Sequence, residues 1–170
     1  GNTVEIRGLG RWYCKKLKEN FNARNPATNE LIYKPERAKI RFRPSKKLNY
    51  RRMRIATFDD DFLDLDFLRK GSETINILCH GLESSSKSTY IKNMADALYN
   101  SGNDVVAWNN RSCSDEMNRS SKFYHSGDTS DLKCVIDFCI FDLGYKNINL
   151  IGFSMGGNQV LCFLIHPNQR

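Results

Sequence analysis

From residue 74 onward the apolar positions switch repeatedly between two spacings. Thr74-Ile75-Asn76-Ile77-Leu78-Cys79 is a short, mostly apolar run of the length and composition of a central strand. Ile91, Met94, Ala95 and Leu98 then recur at helical spacing within residues 88–99. Asp104-Val105-Val106-Ala107-Trp108 reads as the next strand. A second helical stripe runs over Leu132, Val135, Ile136, Cys139 and Ile140, with Asp128 or Thr129 as its cap and Gly144 as its stop. Residues 148–151 make another apolar run, and residues 158–165 another helical stretch. Upstream, residues 40–42, 52–58 and 62–68 have β character, with Asp59-Asp60-Asp61 as a turn between the last two. Strands alternating with helices of this length predict an α/β fold, a mainly parallel sheet covered on both faces.

Residues 1–36 are weakly patterned, with Asn-Pro-Ala-Thr-Asn at 25–29 marking a turn. We read residues 1–50 as a basic N-terminal extension with peripheral structure and residues 51–170 as the main domain. Charge separates the two parts. Residues 1–54 hold 16 Lys and Arg against 4 acids, so that this segment is at +12 in a chain whose net charge is +7. Such an arm suits contact with an anionic membrane surface or nucleic acid; a solvated basic surface is the simpler expectation, because its aromatics form no RNA-stacking motif. No nucleic-acid partner is therefore expected, and peripheral membrane contact through the basic region remains open. No stretch reaches the roughly 18 uninterrupted apolar residues of a membrane span. The six cysteines are scattered without the close pairing of a metal site or a disulfide framework. A cytoplasmic location, no metal and no cofactor are the expectations, with Cys113, in a polar loop, as the one cysteine expected to be exposed.

Gly152-Phe153-Ser154-Met155-Gly156 is a G-x-S-x-G pentapeptide set between an apolar strand and a helix. That is the pattern of a nucleophile elbow, in which a serine is held on a sharp turn at the end of a strand. Ser154 is the candidate nucleophile. In such hydrolases one oxyanion donor is the N–H after the nucleophile and the other comes from the loop after an earlier strand. These map to Met155 and to Leu82, in His80-Gly81-Leu82 directly after the strand ending at Cys79. An ordinary strand-to-helix turn would read the same way at 80–82. The same loop, Gly81 to Ser88, also fits the phosphate-binding pattern G-x-x-x-x-G-K-[ST] except for Ser86 in place of the second glycine. A nucleotide-binding protein or a non-catalytic scaffold is thus the alternative.

The polar loop from Asn109 to Gly127 holds Arg111, Cys113, Asp115, Asn118, Tyr124 and His125. We expect Arg and Asn side chains there to bond loop carbonyls, with Tyr124 and His125 packed beneath. His80 and His125 are candidates for supporting roles at the site. His166 follows Ser154 by twelve residues on one expected helix, about 18 Å by axial rise, too far to take the serine proton. Residues 155–170 contain no Asp or Glu.

Taken in order, His80-Gly81-Leu82-Glu83, Ser85-Ser86-Lys87-Ser88, residues 105–109, Arg111, Cys113-Ser114, Asn118-Arg119, residues 123–127 and residues 152–158 resemble the YheT-like α/β-hydrolases. Residues 61–66 fit the early strand of that family, whereas residues 1–50 match it poorly. The resemblance implies an α/β-hydrolase fold that stops after the nucleophile-elbow helix. It implies serine-dependent hydrolysis of a small-molecule carboxylic ester, acyl lipids being among the substrates of relatives, with Ser154 as nucleophile and Leu82 and Met155 as backbone donors. The family's acid and base lie beyond the elbow helix, so this 170-residue chain is expected to have little activity. Ser84, Ser112 and Asp115 stand where the family has glycine, and Asn110 where it has an aromatic. Strain is expected wherever those backbones require positive φ.

Overall fold

The computed structural model describes residues 3–6, 10–25, 27–44 and 48–165. The chain divides into two compact units, Gly1–Lys46 and Lys47–Arg170. In the first, β1 (Thr3–Ile6), β2 (Gly10–Leu17), β3 (Asn20–Arg24), β4 (Leu31–Lys34) and β5 (Arg37–Pro44) form two antiparallel sheets, β1-β2-β5 and the hairpin β3-β4. The weak patterning of residues 1–36 comes from strands that face solvent, where period-2 alternation of apolar residues is not required. Asn29 closes the hairpin at φ 59, its N–H donating to the Asn25 carbonyl at 2.8 Å; asparagine visits this region at low cost. In the β2–β5 register Tyr13 faces Arg41, Lys15 faces Lys39 and Leu17 faces Arg37. The exposed cysteine is Cys14, on β2, whereas Cys113 is partly buried; all six are free thiols.

The second unit contains β6 (Arg51–Ala56), β7 (Phe62–Leu68), β8 (Thr74–Cys79), α1 (Thr89–Asn100), β9 (Asp104–Trp108), α2 (Ser130–Asp137), β10 (Asn147–Gly152) and α3 (Met155–Ile165). Helix α2 runs on as a π-helical turn over Phe138–Asp142 and ends at Gly144 with φ 73. Its five strands lie in the order β10-β8-β9-β7-β6. Pairing is parallel for β10-β8 and β8-β9 and antiparallel for β9-β7 and β7-β6. The sheet is therefore mixed. Strand-helix alternation supplies its parallel half, and the hairpin through Asp59–Asp61 reverses the other edge.

Successive side chains of a strand point to opposite faces, and both faces of β8 and β9 are buried. Ile75, Ile77, Cys79, Val106 and Trp108 pack with α2 and α3 residues Leu132, Val135, Val160 and Phe163. Leu78, Val105 and Ala107 pack with Ile91 and Ala95 of α1 on the other side. At the β10 edge a cleft of about 410 Å³ lies among Ile136, Ile140, Ile148, Leu150, Val160 and Phe163. Among the described residues no helix is long and apolar enough to cross a membrane.

The loop after β9 is fixed by charge. Arg111, only 2% exposed, donates to both carboxylate oxygens of Asp131 at 2.7 and 2.8 Å, to both of Asp59 at 2.8 Å and to Asp61 at 3.2 Å. It therefore bonds carboxylates rather than loop carbonyls, because its buried charge requires compensation. Asn118 does bond a carbonyl, that of Phe62, at 2.6 Å. On the sheet edge Arg52 pairs with Asp66 and Asp115, and Arg54 with Asp64 and Glu116, which ties the same loop to β6 and β7.

Arg111→Met should lower the stability of the second unit by about 3–5 kcal/mol in urea titration, because Asp61 is left buried without its cation and Asp131 keeps only Lys122, at 3.7 Å. The Arg111 hydrogen bonds hold Asp59 down at about 2 from an ordinary 3.8, burial opposing. A carboxylate depressed in the folded state stabilises it above its unfolded pKa and loses that contribution as pH falls from about 4 toward 2. The Arg111→Met chain should lack this part of the acid transition.

Candidate active site

Ser154 sits at φ +53, in the left-handed region that a side chain normally avoids. The turn is held there by two glycines. A Cβ on Gly152 would collide with the backbone of Gly156 and Gly157, and one on Gly156 with the backbone of Cys79 and His80. Only glycine lets α3 start this close to the end of β8. The Phe153 N–H donates to the Cys79 carbonyl at 3.0 Å and the Gly156 N–H to Phe153 at 3.0 Å, which closes the turn.

The loop after β8 lies directly against the serine. A Cβ on Gly81 would be 3.4 Å from the Phe153 carbonyl oxygen and 3.4 Å from Ser154 Cβ. The structure therefore brings the Gly81-Leu82 loop and the Ser154-Met155 turn side by side, as the sequence reading expects. Among the described residues no acceptor takes the N–H of Leu82 or of Met155. Leu82 is 67% exposed and Ser154 is exposed, so both are open to a ligand.

His80 is fully buried and fixes the direction of the Leu82 N–H. Its Nδ1 lies 2.7 Å from the Gly81 carbonyl oxygen, an acceptor only, so Nδ1 carries the proton. Its Nε2 accepts the Asn110 N–H at 3.0 Å. Across a trans peptide the carbonyl and the next N–H point in opposite directions. Holding the Gly81 carbonyl on His80 turns the Leu82 N–H away from the buried imidazole. Burial pushes the His80 pKa down, the Gly81 contact opposing, so the ring is neutral with both nitrogens committed. It is a support rather than a base. The chain of bonds continues, since Gln159 of α3 donates to Asn110 Oδ1 at 3.1 Å.

His125 is exposed, in contrast to the buried position expected of it beside Tyr124. The short Ser126-Gly127 turn leaves its ring outside: the Gly127 N–H donates back to its Nδ1 at 3.2 Å. Its carbonyl accepts from Gln159 at 3.3 Å, which sets this loop against α3. Tyr124 is buried, and its hydroxyl accepts the Glu83 N–H at 3.1 Å. His166 lies outside the described residues. Asn110 and Gln159 were not legible as site residues, although a buried glutamine on an apolar helix face is a signal of a polar partner.

The loop from Gly81 to Ser88 has little to offer a phosphate. Most of its N–H groups are taken internally, among them Glu83 by Tyr124, Ser85 by Ser88 Oγ, Ser86 by Asn109 Oδ1 and Lys87 by Ser85 Oγ, while that of Leu82 is open among the described residues. Ser86 Oγ donates to Asp66 at 2.5 Å, and Lys87 pairs with Asp115. Positive φ falls on Glu83 (51°) and Ser112 (58°) among these loop residues, not on Ser84 or Asp115. Beside the site a cleft of about 450 Å³ is lined by Glu83, Ser84, Ser112, Cys113, Phe123 and Tyr124.

A family model described as alpha/beta hydrolase fold matches residues 77–170, which takes in the Gly81 loop, Ser154 and α3. The chain belongs to the α/β hydrolase fold family. Within that family it is similar to YheT of Escherichia coli (strain K12), whose name assigns it provisionally to the esterases, at 31% identity over 72% of this chain and 37% of YheT. It is similar also to the embryogenesis-associated protein EMB8 of Picea glauca, at 31% over 52% of this chain and 19% of that one. Among solved α/β hydrolases the Pyrococcus furiosus esterase Pf2001 superposes with a TM-score of 0.61 at 26% identity, over 71% of this chain and 48% of that structure. The chain thus spans less than half the length of these relatives. A second family model, described as bacterial DNA-binding protein, matches residues 1–51.

Because His80 is depressed below its ordinary 6.5 in the folded state, its neutral form stabilises the fold above about pH 6.5, and that contribution is lost as pH falls. Thermal melts between pH 7 and 5 should show falling Tm in the wild type and a flatter profile in His80→Asn.

Proposed function

We propose that this α/β-hydrolase chain carries the nucleophilic half of a serine-dependent carboxylic ester hydrolase. The observation that supports this most is Ser154 at φ +53 with the Gly81 loop against its Cβ. Ser154 Oγ attacks the ester carbonyl carbon and its proton passes to a base; the C–O π electrons move to the carbonyl oxygen, and the Leu82 and Met155 N–H groups hold that oxyanion. Collapse expels the alcohol and leaves an acyl-serine, which water cleaves to the carboxylic acid. The 450 Å³ cleft beside Glu83 has room for one substituent of the ester.

Base and acid come, in this proposal, from the part of the relatives that this chain does not span. His80 is fully committed, and no carboxylate follows Ser154. A fluorophosphonate probe should label Ser154 slowly, with no labelling of Ser154→Ala. Residual catalysis of about 10³–10⁴ over water is what an oxyanion hole alone sustains. Rapid stoichiometric labelling of the 170-residue chain would overturn the assignment of the base, and no labelling at all would overturn Ser154 as nucleophile.

A second reading is favoured for residues 1–51 by the bacterial DNA-binding family match. It stands against the expectation of a merely solvated basic surface. On β2 and β5 the cross-strand register places Arg11, Lys15, Arg37, Lys39 and Arg41 on one face, all exposed, with Lys15 directly opposite Lys39. Like charges directly opposite are destabilising, and a polyanion relieves them. We infer that this face binds the DNA backbone. Titration of the chain into a fluorescent duplex from 50 to 200 mM salt should give a log–log slope of roughly −3 to −5, reduced by about 1 in Lys39→Gln. Binding to anionic vesicles but not to duplex would replace this reading with the membrane one.

A further inference from the structure

The side chain that touches both halves of the oxyanion site is Tyr90, in the first turn of α1. Its hydroxyl oxygen accepts the Gly81 N–H at 2.9 Å. Its ring meets the ring of Phe153, the residue before the nucleophile, edge to face with centroids 5.0 Å apart and planes at 60°. A Cβ on Gly81 would lie 3.5 Å from the Tyr90 oxygen and 3.4 Å from Ser154 Cβ, so hydroxyl and nucleophile flank the same point. The hydroxyl is itself anchored: it lies 2.6 Å from Ser84 Oγ, which lies 2.7 Å from Ser88 Oγ, which accepts the Ser85 N–H at 3.3 Å.

Gly81 is thereby gripped on both of its peptide groups. Tyr90 takes its N–H, and His80 takes its carbonyl. With no Cβ, glycine has the widest choice of φ and ψ, and the loop would sample many directions for the Leu82 N–H without these two bonds. The imidazole fixes one plane from the core side. Tyr90 fixes the other from α1, and through Phe153 it references that plane to the turn that carries Ser154 and Met155.

We infer that Tyr90 is a positioning residue for the oxyanion site, setting the separation between the Leu82 and Met155 N–H groups. This rests on the serine hydrolase reading above. Tyrosine is not required for packing alone: the ring of phenylalanine would make the same contact with Phe153. What the hydroxyl adds is direction. Transition-state stabilisation by fixed donors depends on their placement, with a 1 Å error costing on the order of 10²-fold.

The test uses Tyr90→Phe in the full chain, with melting temperature as the folding control. Labelling of Ser154 by a fluorophosphonate is followed over probe concentration to separate the maximal rate from the half-saturating concentration. The maximal rate should fall about tenfold or more, with half-saturation and melting temperature little changed. A maximal rate within twofold of wild type overturns the proposal. Amide exchange by NMR is the second readout: Gly81 should exchange at least about tenfold faster in the variant, while Glu83, held by Tyr124, stays as in wild type. Should wild-type Ser154 take no label, the hydrolase reading fails by itself, and unchanged exchange at Gly81 would overturn the positioning role independently.

Discussion

The whole site depends on one close approach between two backbones. Gly156, at the start of α3, lies against the carbonyls of Cys79 and His80 at the end of β8, closer than any Cβ allows. That contact brings two segments more than seventy residues apart into one small volume. Parallel pairing of β10 with β8 makes it possible, since Gly152 and Cys79 are partners in register and both strands end together. Everything chemical at this edge follows from that coincidence of strand ends. The strands supply position, and the glycines permit contact.

Around this approach the chain has built two kinds of polar support. One is neutral and runs through the core: Gly81, His80, Asn110 and Gln159 form a line from the loop to α3. The other is ionic and acts at a distance, with Arg111 gathering Asp59 and Asp61 from the β6–β7 turn and Asp131 from α2. The neutral line sets directions, because each bond has a defined donor and acceptor. The ionic cluster sets the path of the long loop that carries Asn110. Without that path the neutral line would lack its middle member.

Much of this was legible in the chain and some of it was not, for physical reasons. β7, β8 and β9 fall on the residues expected: β8 and β9 because strands buried on both faces are mostly apolar, β7 because Leu63, Leu65 and Phe67 alternate with Asp64 and Asp66. Of the strands within residues 3–44 only β5 left a trace, at residues 40–42; the others did not, since a solvated face places no demand for alternating apolar residues. Ser154, Gly81 and Leu82 could be found from a local pattern tied to a tight turn. His80 could be found too, but its commitment at both nitrogens depends on Asn110, thirty residues away and read only as a departure from an aromatic. Partners that meet across sheet ends carry no fixed spacing, so Asn110 and Gln159 emerge only in three dimensions. The location of the loop's strain was likewise conformational: it settles on Ser112 and Glu83 and spares Ser84 and Asp115.

Serine at 154 is thermodynamically the wrong residue for its backbone. A left-handed conformation costs a side chain roughly 1 kcal/mol or more that glycine avoids. Replacing it by glycine would relieve the turn, and the flanking glycines already accept the close contact. Random substitution under selection for stability alone thus pushes this position away from serine. A chain that keeps serine there gives up folding free energy to hold an exposed hydroxyl at the end of a strand, and position 154 becomes a gauge of whether chemistry or mere persistence shapes the lineage.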